Sequence, residues 1–265
     1  MMENYLFYNL KVALALSVFY VIYRLFLKKD TFFGNHRAFL MCSVLLSFIL
    51  PGIEIYVQKP VISRIPVVFL NTFQVNADSS ALSTVNAGLL LQKTLIFVYP
   101  VITIILFLKF LYRLSVLAIL IVKGEKRKRG DFIFVIENKD IPVYSFFNYV
   151  FIGKNQVFPD REILAHEAVH AVQLHSLDTL IIEIVTIIQW FNPFIWLYRK
   201  ELKETHEYLA DAGVMKQGFS MAEYLLLLFN HAVGFNFVGL TKNFNQSLIK
   251  KRIKMMKREK SCPWA

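Results

Sequence analysis

The stretch REILAHEAVHAVQL, residues Arg161–Leu174, is the most informative part of the C-terminal half of this chain. Its sequence predicts a single helix. Asp160 precedes it and is a good N-cap residue. Residues four apart share a helix face, so His166 and His170 can present two imidazole nitrogens to one Zn²⁺ ion. Glu167 lies beside them, where it can polarise a water molecule. This H-E-x-x-H spacing is typical of zinc peptidases.

A zinc peptidase needs a third protein ligand, and the predicted helix Arg199–Lys216 offers candidates. His175 is out of register for the third histidine of the metzincin pattern. Glu204, Glu207 and Asp211 share one face at spacings of three and four residues, so one carboxylate can bind the metal while another hydrogen-bonds a ligand imidazole. Taken alone, an acidic helix face is more often solvated. The spacing does not choose among the three carboxylates.

The chain as a whole has the composition of a membrane protein. Mean hydropathy is +0.47, and 56% of the 265 residues are hydrophobic, with 25 Phe among them. Such a chain is too apolar for an ordinary soluble domain. Apolar runs of about the length that a bilayer requires predict three transmembrane helices, at about 5–27, 38–56 and 87–110, with an extracellular loop at 54–86. The transmembrane region is therefore predicted to occupy residues 1–123.

Clusters of basic residues predict the orientation in the membrane. Lys28, Lys29 and Arg37 lie between the first two predicted spans, and a basic run at 123–129 follows the third. The positive-inside rule places both regions in the cytoplasm, with the N-terminus outside and the H-E-x-x-H helix inside. The net charge of +11 is then best explained by anionic lipid headgroups, and we expect no direct binding of nucleic acid.

The cytoplasmic region, 124–265, is predicted to be a zincin-like α+β metallopeptidase region. The β-branched and aromatic runs 131–137 and 142–152 are separated by Asn138–Asp140 and predict a short β-hairpin, which either holds an extended substrate or packs on the H-E-x-x-H helix. Residues 177–197 predict a buried or membrane-surface helix pair rather than a fourth span, with Asn192 as cap and Pro193 as first residue of the second helix. A basic helix at 250–260 is predicted to face the membrane surface.

In the H-E-x-x-H helix and the acidic helix that follows it, the chain resembles the BlaR and MecR family of membrane-embedded, gluzincin-type metallopeptidases. The resemblance runs through ILAHEAVHAVQLHSLD and IIQWFNPFIWLYRKELKETHEYLAD, and more weakly through SFFNYVFI and FNQSLIKKRIKMM. It implies that His166, His170 and Glu207 bind Zn²⁺, that Glu167 is the general base, and that Asp211 supports the site, with Glu204 a second candidate for that supporting role.

The resemblance also implies a function. The family predicts a zinc metalloendopeptidase of a signal-transduction system in the bacterial cytoplasmic membrane, in contact with the lipid bilayer and cleaving a cytoplasmic protein such as a transcriptional repressor, or itself. A homodimer is among the assemblies that this sequence allows. Family members usually continue into a further span and a sensor domain, which this sequence does not carry, so it is either a fragment or a short member. The alternatives are a housekeeping membrane protease of the HtpX or CAAX-processing type, and a non-enzymatic scaffold with a structural zinc.

Overall fold

The computed structural model describes residues 2–53, 87–138, 141–154, 160–234 and 240–259. Within them the chain is mainly helical, with one small sheet, as the composition and patterning predict. The helices are α1 (Met2–Ile22), α2 (Phe33–Ile49), α3 (Ala87–Lys123), α4 (Arg161–Val172), α5 (His175–Ile188), α6 (Pro193–Lys216), α7 (Met221–Gly234) and α8 (Leu240–Met256).

Helices α1 to α3 contain the apolar runs that the sequence assigns to the membrane. Among the described residues, three helical segments are each long and apolar enough to cross a bilayer: Asn4–Leu27, Phe33–Gly52 and Ile96–Lys123. The first includes a π-helical turn, Tyr23–Leu27, at the end of α1. Helix α3 has 37 residues and is about 55 Å long at 1.5 Å per residue, so its apolar segment extends further towards the basic run than the predicted 87–110. The predicted loop at 54–86 lies outside the described residues.

The sheet differs from the predicted hairpin. Its four strands, β1 (Glu125–Arg129), β2 (Phe132–Glu137), β3 (Tyr144–Phe146) and β4 (Tyr149–Gly153), lie in the order β1-β2-β4-β3. The predicted partners do not form an antiparallel hairpin, because β2 and β4 pair in parallel. Instead, the basic run turns at Gly130, which has a φ of 61°, and pairs with β2, while the second predicted strand divides into β3 and β4. The hairpin prediction was wrong because an exposed run of charges does not show the alternation that marks a strand.

The helices of the C-terminal half pack directly on the first two apolar helices. Side chains from α1, α2, α5 and α6 form one core, which includes Leu16, Leu40, Ile182 and Leu202. Pro193 begins α6 as predicted, and the Asn192 side chain accepts a hydrogen bond from the backbone N–H of Phe194 at 2.9 Å. Helices α5 and α6, which both contact the H-E-x-x-H helix, are therefore packed directly on the apolar part of the chain.

A sharp turn separates α4 from α5. The two helices are bent by 59°, and Leu174 between them has a φ of 54°, in the left-handed region. This bend shortens the predicted helix Arg161–Leu174 to Arg161–Val172. It also turns the start of α5 back towards the histidine face of α4.

Candidate active site

Three candidate ligand atoms converge between α4 and α6. The Nε2 atoms of His166 and His170 are 3.1 Å apart. Glu207, on α6, brings one carboxylate oxygen to 3.6 Å from His166 Nε2 and the other to 4.0 Å from His170 Nε2. One ligand atom from each of the three residues lies within 4.8 Å of those of the other two. Helical spacing places both histidines on one face of α4, and packing of α4 on α6 supplies the carboxylate.

This donor set fits a zinc ion. Zinc favours imidazole nitrogen and carboxylate oxygen in a tetrahedral arrangement, with bonds of about 2.0–2.1 Å, so neighbouring ligand atoms are roughly 3.3 Å apart. The two imidazole nitrogens, 3.1 Å apart, lie close to that value. The separations of 3.6 and 4.0 Å are longer, and they involve different carboxylate oxygens of Glu207. Three protein ligands leave a fourth position for a water molecule or a substrate, as in catalytic rather than structural zinc sites.

Glu167 lies next to the ligands and is buried, with 9% of its surface exposed. Burial raises the pKa of Glu167 above its usual value, although the nearby His166 and hydrogen bonds from Ser145 act in the opposite direction. Ser145 belongs to β3, the strand at one edge of the sheet. The carboxylate is therefore held between the candidate metal ligands and the sheet.

The outer face of His166 contacts a buried polar cluster. The Tyr224 hydroxyl is 2.8 Å from His166 Nδ1 and donates to Asp211 Oδ1 at 2.8 Å. Arg252 donates to both carboxylate oxygens of Asp211, at 2.9 and 2.5 Å, and its other terminal nitrogen is 3.1 Å from Glu207. Burial alone would raise the pKa of Glu207, but the neighbouring His166 and the charge of Arg252 outweigh burial and hold that pKa well below its usual value.

The outer face of His170 contacts a second group of side chains. His170 Nδ1 is 2.7 Å from Nδ1 of His175, the first residue of α5. The ring of His206 is stacked on that of His175, with centroids 4.1 Å apart. Burial, helped by the neighbouring His166, lowers the pKa of His170 to about 3. His170 is therefore neutral near pH 7, which is the form that binds zinc.

A cavity of about 570 Å³ opens over these residues. Its walls include residues 143–146, which contain β3, together with the H-E-x-x-H side chains, Tyr224 and the apolar residues Leu227 and Leu228 of α7. The cavity lies beside an edge strand, and a strand edge offers backbone groups to an extended peptide. The site therefore has room for a polypeptide segment next to the candidate ligands.

The structure brings together most of the predicted site residues. His166, His170 and Glu207 form the ligand group, and Asp211 lies 3.5 Å from His166 Nδ1. Glu204 does not belong to the ligand group, and its carboxylate accepts a hydrogen bond from Lys251 of α8 instead.

Several residues at the site were missed, among them Arg252, Tyr224 and His175. The prediction that the basic helix faces the membrane surface was wrong for Arg252, which is 8% exposed and points into the site. Tyr224 follows a helix-start signal at Ser220 but has no signal of its own. In the sequence, His175 closely follows two other histidines and Arg252 is one of several basic residues in its helix. Only their contacts in the structure distinguish these two residues from their neighbours.

Comparison with known proteins agrees with this geometry. No curated protein matches the chain. Residues 157–256 match the family model described as BlaR1 peptidase M56. The matched segment contains the candidate ligands and the Arg252 cluster, so it coincides with the site. Over residues 157–256 the chain is therefore similar to the BlaR1 peptidase M56 family, which is consistent with a BlaR/MecR-type metallopeptidase.

Proposed function

We propose that this protein is a membrane-embedded zinc endopeptidase of a signalling system, which cleaves a cytoplasmic protein or itself when a signal arrives. The observation that carries this proposal is the convergence of His166, His170 and Glu207 with the buried carboxylate of Glu167 beside them. A purely structural zinc site needs no such base. The family match supports the peptidase part of the proposal.

The residues of the chain divide the chemistry between them. His166, His170 and Glu207 would hold Zn²⁺, which supplies Lewis acidity that lowers the pKa of a water molecule and polarises a peptide carbonyl. Glu167 takes the proton from that water and returns it to the leaving amine.

Edge strand β3 provides a place for the substrate backbone. An extended peptide lying along β3 would cross the cavity next to Glu167, because Ser145 of β3 hydrogen-bonds that carboxylate. Pairing with an edge strand recognises the peptide backbone rather than one side chain. We infer that the substrate presents an extended or unfolded segment to the site.

A signalling role is supported by contacts from each apolar helix to the helices of the site. Lys28, just after the π-helical turn of α1, pairs with Glu201 of α6. Arg37 of α2 pairs with Asp178 of α5 at 2.6 Å. Arg113 of α3 lies 3.8 Å from Glu183 of α5. A change in the packing of the apolar helices would therefore reach α5 and α6. With these cations facing the cytoplasm, the active site is proposed to be cytoplasmic.

The proposal is tested by zinc content and cleavage together. We would measure zinc per chain in detergent-purified protein for wild type, His170→Ala, Glu207→Gln and Glu204→Gln. We expect about one zinc in wild type and in Glu204→Gln, and loss of zinc from the other two variants. Glu204→Gln is a matched control, because it removes the same charge from the same helix one turn away.

Cleavage is then followed for wild type and Glu167→Gln in native membranes, with candidate cytoplasmic proteins and with the chain itself. Glu167→Gln should keep its zinc and lose cleavage. Equal cleavage by Glu167→Gln and wild type would overturn the peptidase mechanism. Absence of zinc from wild type would overturn the metal site.

A further inference from the structure

The second apolar helix is connected to the metal ligand His170 by a continuous set of polar contacts. Arg37 lies in α2, near its N-terminal end, and donates from Nε to Asp178 at 2.6 Å and from Nη2 to the backbone carbonyl of Gln173 at 2.7 Å. Gln173 is the C-cap of the H-E-x-x-H helix. One arginine therefore joins the end of α4 to the first turn of α5.

The same contacts surround His175 on three sides. Its Nδ1 atom faces His170 at 2.7 Å, and its Nε2 atom lies 3.1 Å from the side-chain oxygen of Gln173. The third side is the stacked ring of His206, whose Nε2 atom is 2.9 Å from the Asp178 carboxylate. His175 is 3% exposed, so its ring has little room to turn.

These contacts determine which ring nitrogens carry protons. When His170 binds a metal through Nε2, its proton lies on Nδ1, which must donate to an acceptor. Nδ1 of His175 is that acceptor, so the proton of His175 lies on Nε2, where it donates to the oxygen of Gln173. Ligand histidines usually donate this proton to a carboxylate or a carbonyl. Here the acceptor is a second imidazole, whose position depends on α2.

We propose that His175 is a positioning residue for the metal ligand His170, and that Arg37 of the second apolar helix holds His175 in place through Gln173 and Asp178. This inference rests on the proposed function, because it assumes a metal at His170. It also gives the signal a route: a movement of α2 that withdraws Arg37 frees Gln173 and Asp178, and the acceptor for His170 is then no longer fixed.

Zinc affinity of the full chain in detergent tests the first part. His175→Phe keeps a ring that can stack on His206 but removes the acceptor, whereas His175→Asn offers an amide oxygen close to where Nδ1 lies. Loss of such an outer contact typically lowers metal affinity about 10-fold to 100-fold. We expect a loss of that size in His175→Phe and substantial rescue in His175→Asn, each shown to be folded by circular dichroism.

Arg37→Gln and Lys28→Gln form the matched pair for the second part. Both remove one positive charge close to the turn that joins α1 to α2, and both break an ion pair with a helix of the site, but only Arg37 contacts Gln173 and Asp178. Zinc affinity should fall in Arg37→Gln and stay at the wild-type value in Lys28→Gln. The visible absorption spectrum of the Co²⁺ form, which reports ligand geometry, should change in Arg37→Gln alone.

The outcomes separate this inference from the proposed function. If wild type binds zinc and His175→Phe binds it equally well, the positioning role is wrong while the metal site stands. If Arg37→Gln and Lys28→Gln behave alike, the link to α2 is wrong. If wild type binds no zinc, the proposed function fails and the inference fails with it.

Discussion

Replacing Gly213 by alanine should force apart the two helices that carry the candidate metal ligands. Gly213 lies on α6, facing Val169 on α4. A Cβ atom at Gly213 would lie 2.5 Å from Cγ2 of Val169, 3.3 Å from its Cγ1 and 3.4 Å from its Cβ. Ordinary carbon contacts are about 3.5–4.0 Å, so the methyl group needs roughly 1 Å of additional space. Valine in a helix has one strongly preferred rotamer, so the helices rather than the side chain must move.

The size of the effect follows from two opposing terms. Alanine favours a helix over glycine by about 1 kcal/mol, whereas overpacking costs about 1–3 kcal/mol. We expect the metal-free Gly213→Ala protein to be less stable than wild type by up to about 2 kcal/mol. A separation of roughly 1 Å is large for a metal site, where distances hold within about 0.2 Å. Zinc affinity should therefore fall on the order of tenfold to a hundredfold, as for other displaced ligands.

The assay is zinc competition with a chromophoric chelator, together with thermal unfolding in the presence of EDTA. The double variant Val169→Ala, Gly213→Ala removes the methyl groups that clash and should recover most of the zinc affinity. The reasoning is refuted if Gly213→Ala binds zinc as wild type does and gains about 1 kcal/mol of stability, since helix propensity alone would then describe the substitution.

Three further predictions concern the surroundings of the site. Arg252→Met should lower the free energy of unfolding by about 3–5 kcal/mol, because Asp211, at 1% exposed, would be left as a buried charge without its partner. Lys254→Met, on the exposed face of the same helix, should leave denaturant unfolding unchanged. The pKa of His170 is about 3 in the folded metal-free protein and about 6.5 when unfolded. The unfolded state therefore binds more protons than the folded state between about pH 3 and pH 6.5. The contribution of His170 to the free energy of unfolding is fully present above about pH 6.5 and is lost as the pH falls towards about 3. His170→Gln should flatten this part of the plot of melting temperature against pH. Leu174→Gly should raise the melting temperature, or leave it unchanged, since glycine adopts the observed φ of 54° without the steric cost of about 1–2 kcal/mol; a clear drop would contradict this.

Local patterns predicted the parts of the site that depend on neighbours along the chain. The H-E-x-x-H face requires only helical spacing, so His166, Glu167 and His170 come together in the structure as expected. The start of α6 was also predicted correctly, because the signals at Asn192 and Pro193 are local. Asn192 caps the helix through the N–H of Phe194, two residues away. These features depend on short-range backbone geometry, which each segment carries by itself.

Strand pairing was not predictable in the same way. Each of the runs 131–137 and 142–152 does contain strand, but the predicted antiparallel hairpin between them does not form. Local composition shows that a segment suits a pleated surface, whereas the partner depends on what covers each face. The exposed basic strand β1 shows the same limit, since nothing in its side-chain pattern indicates a sheet.

The sequence by itself determined the apolar helices, the H-E-x-x-H helix and a short set of candidate acidic ligands. Only the tertiary structure decided that Glu207 faces the histidines while Glu204 pairs with Lys251. It also decided that Arg252 enters the site, and that Arg37 reaches the end of α4. The physical reason is the range of the interactions. Helical spacing acts over four residues, whereas the contacts of Lys251, Arg252 and Arg37 join segments tens to more than a hundred residues apart, and packing alone brings these together.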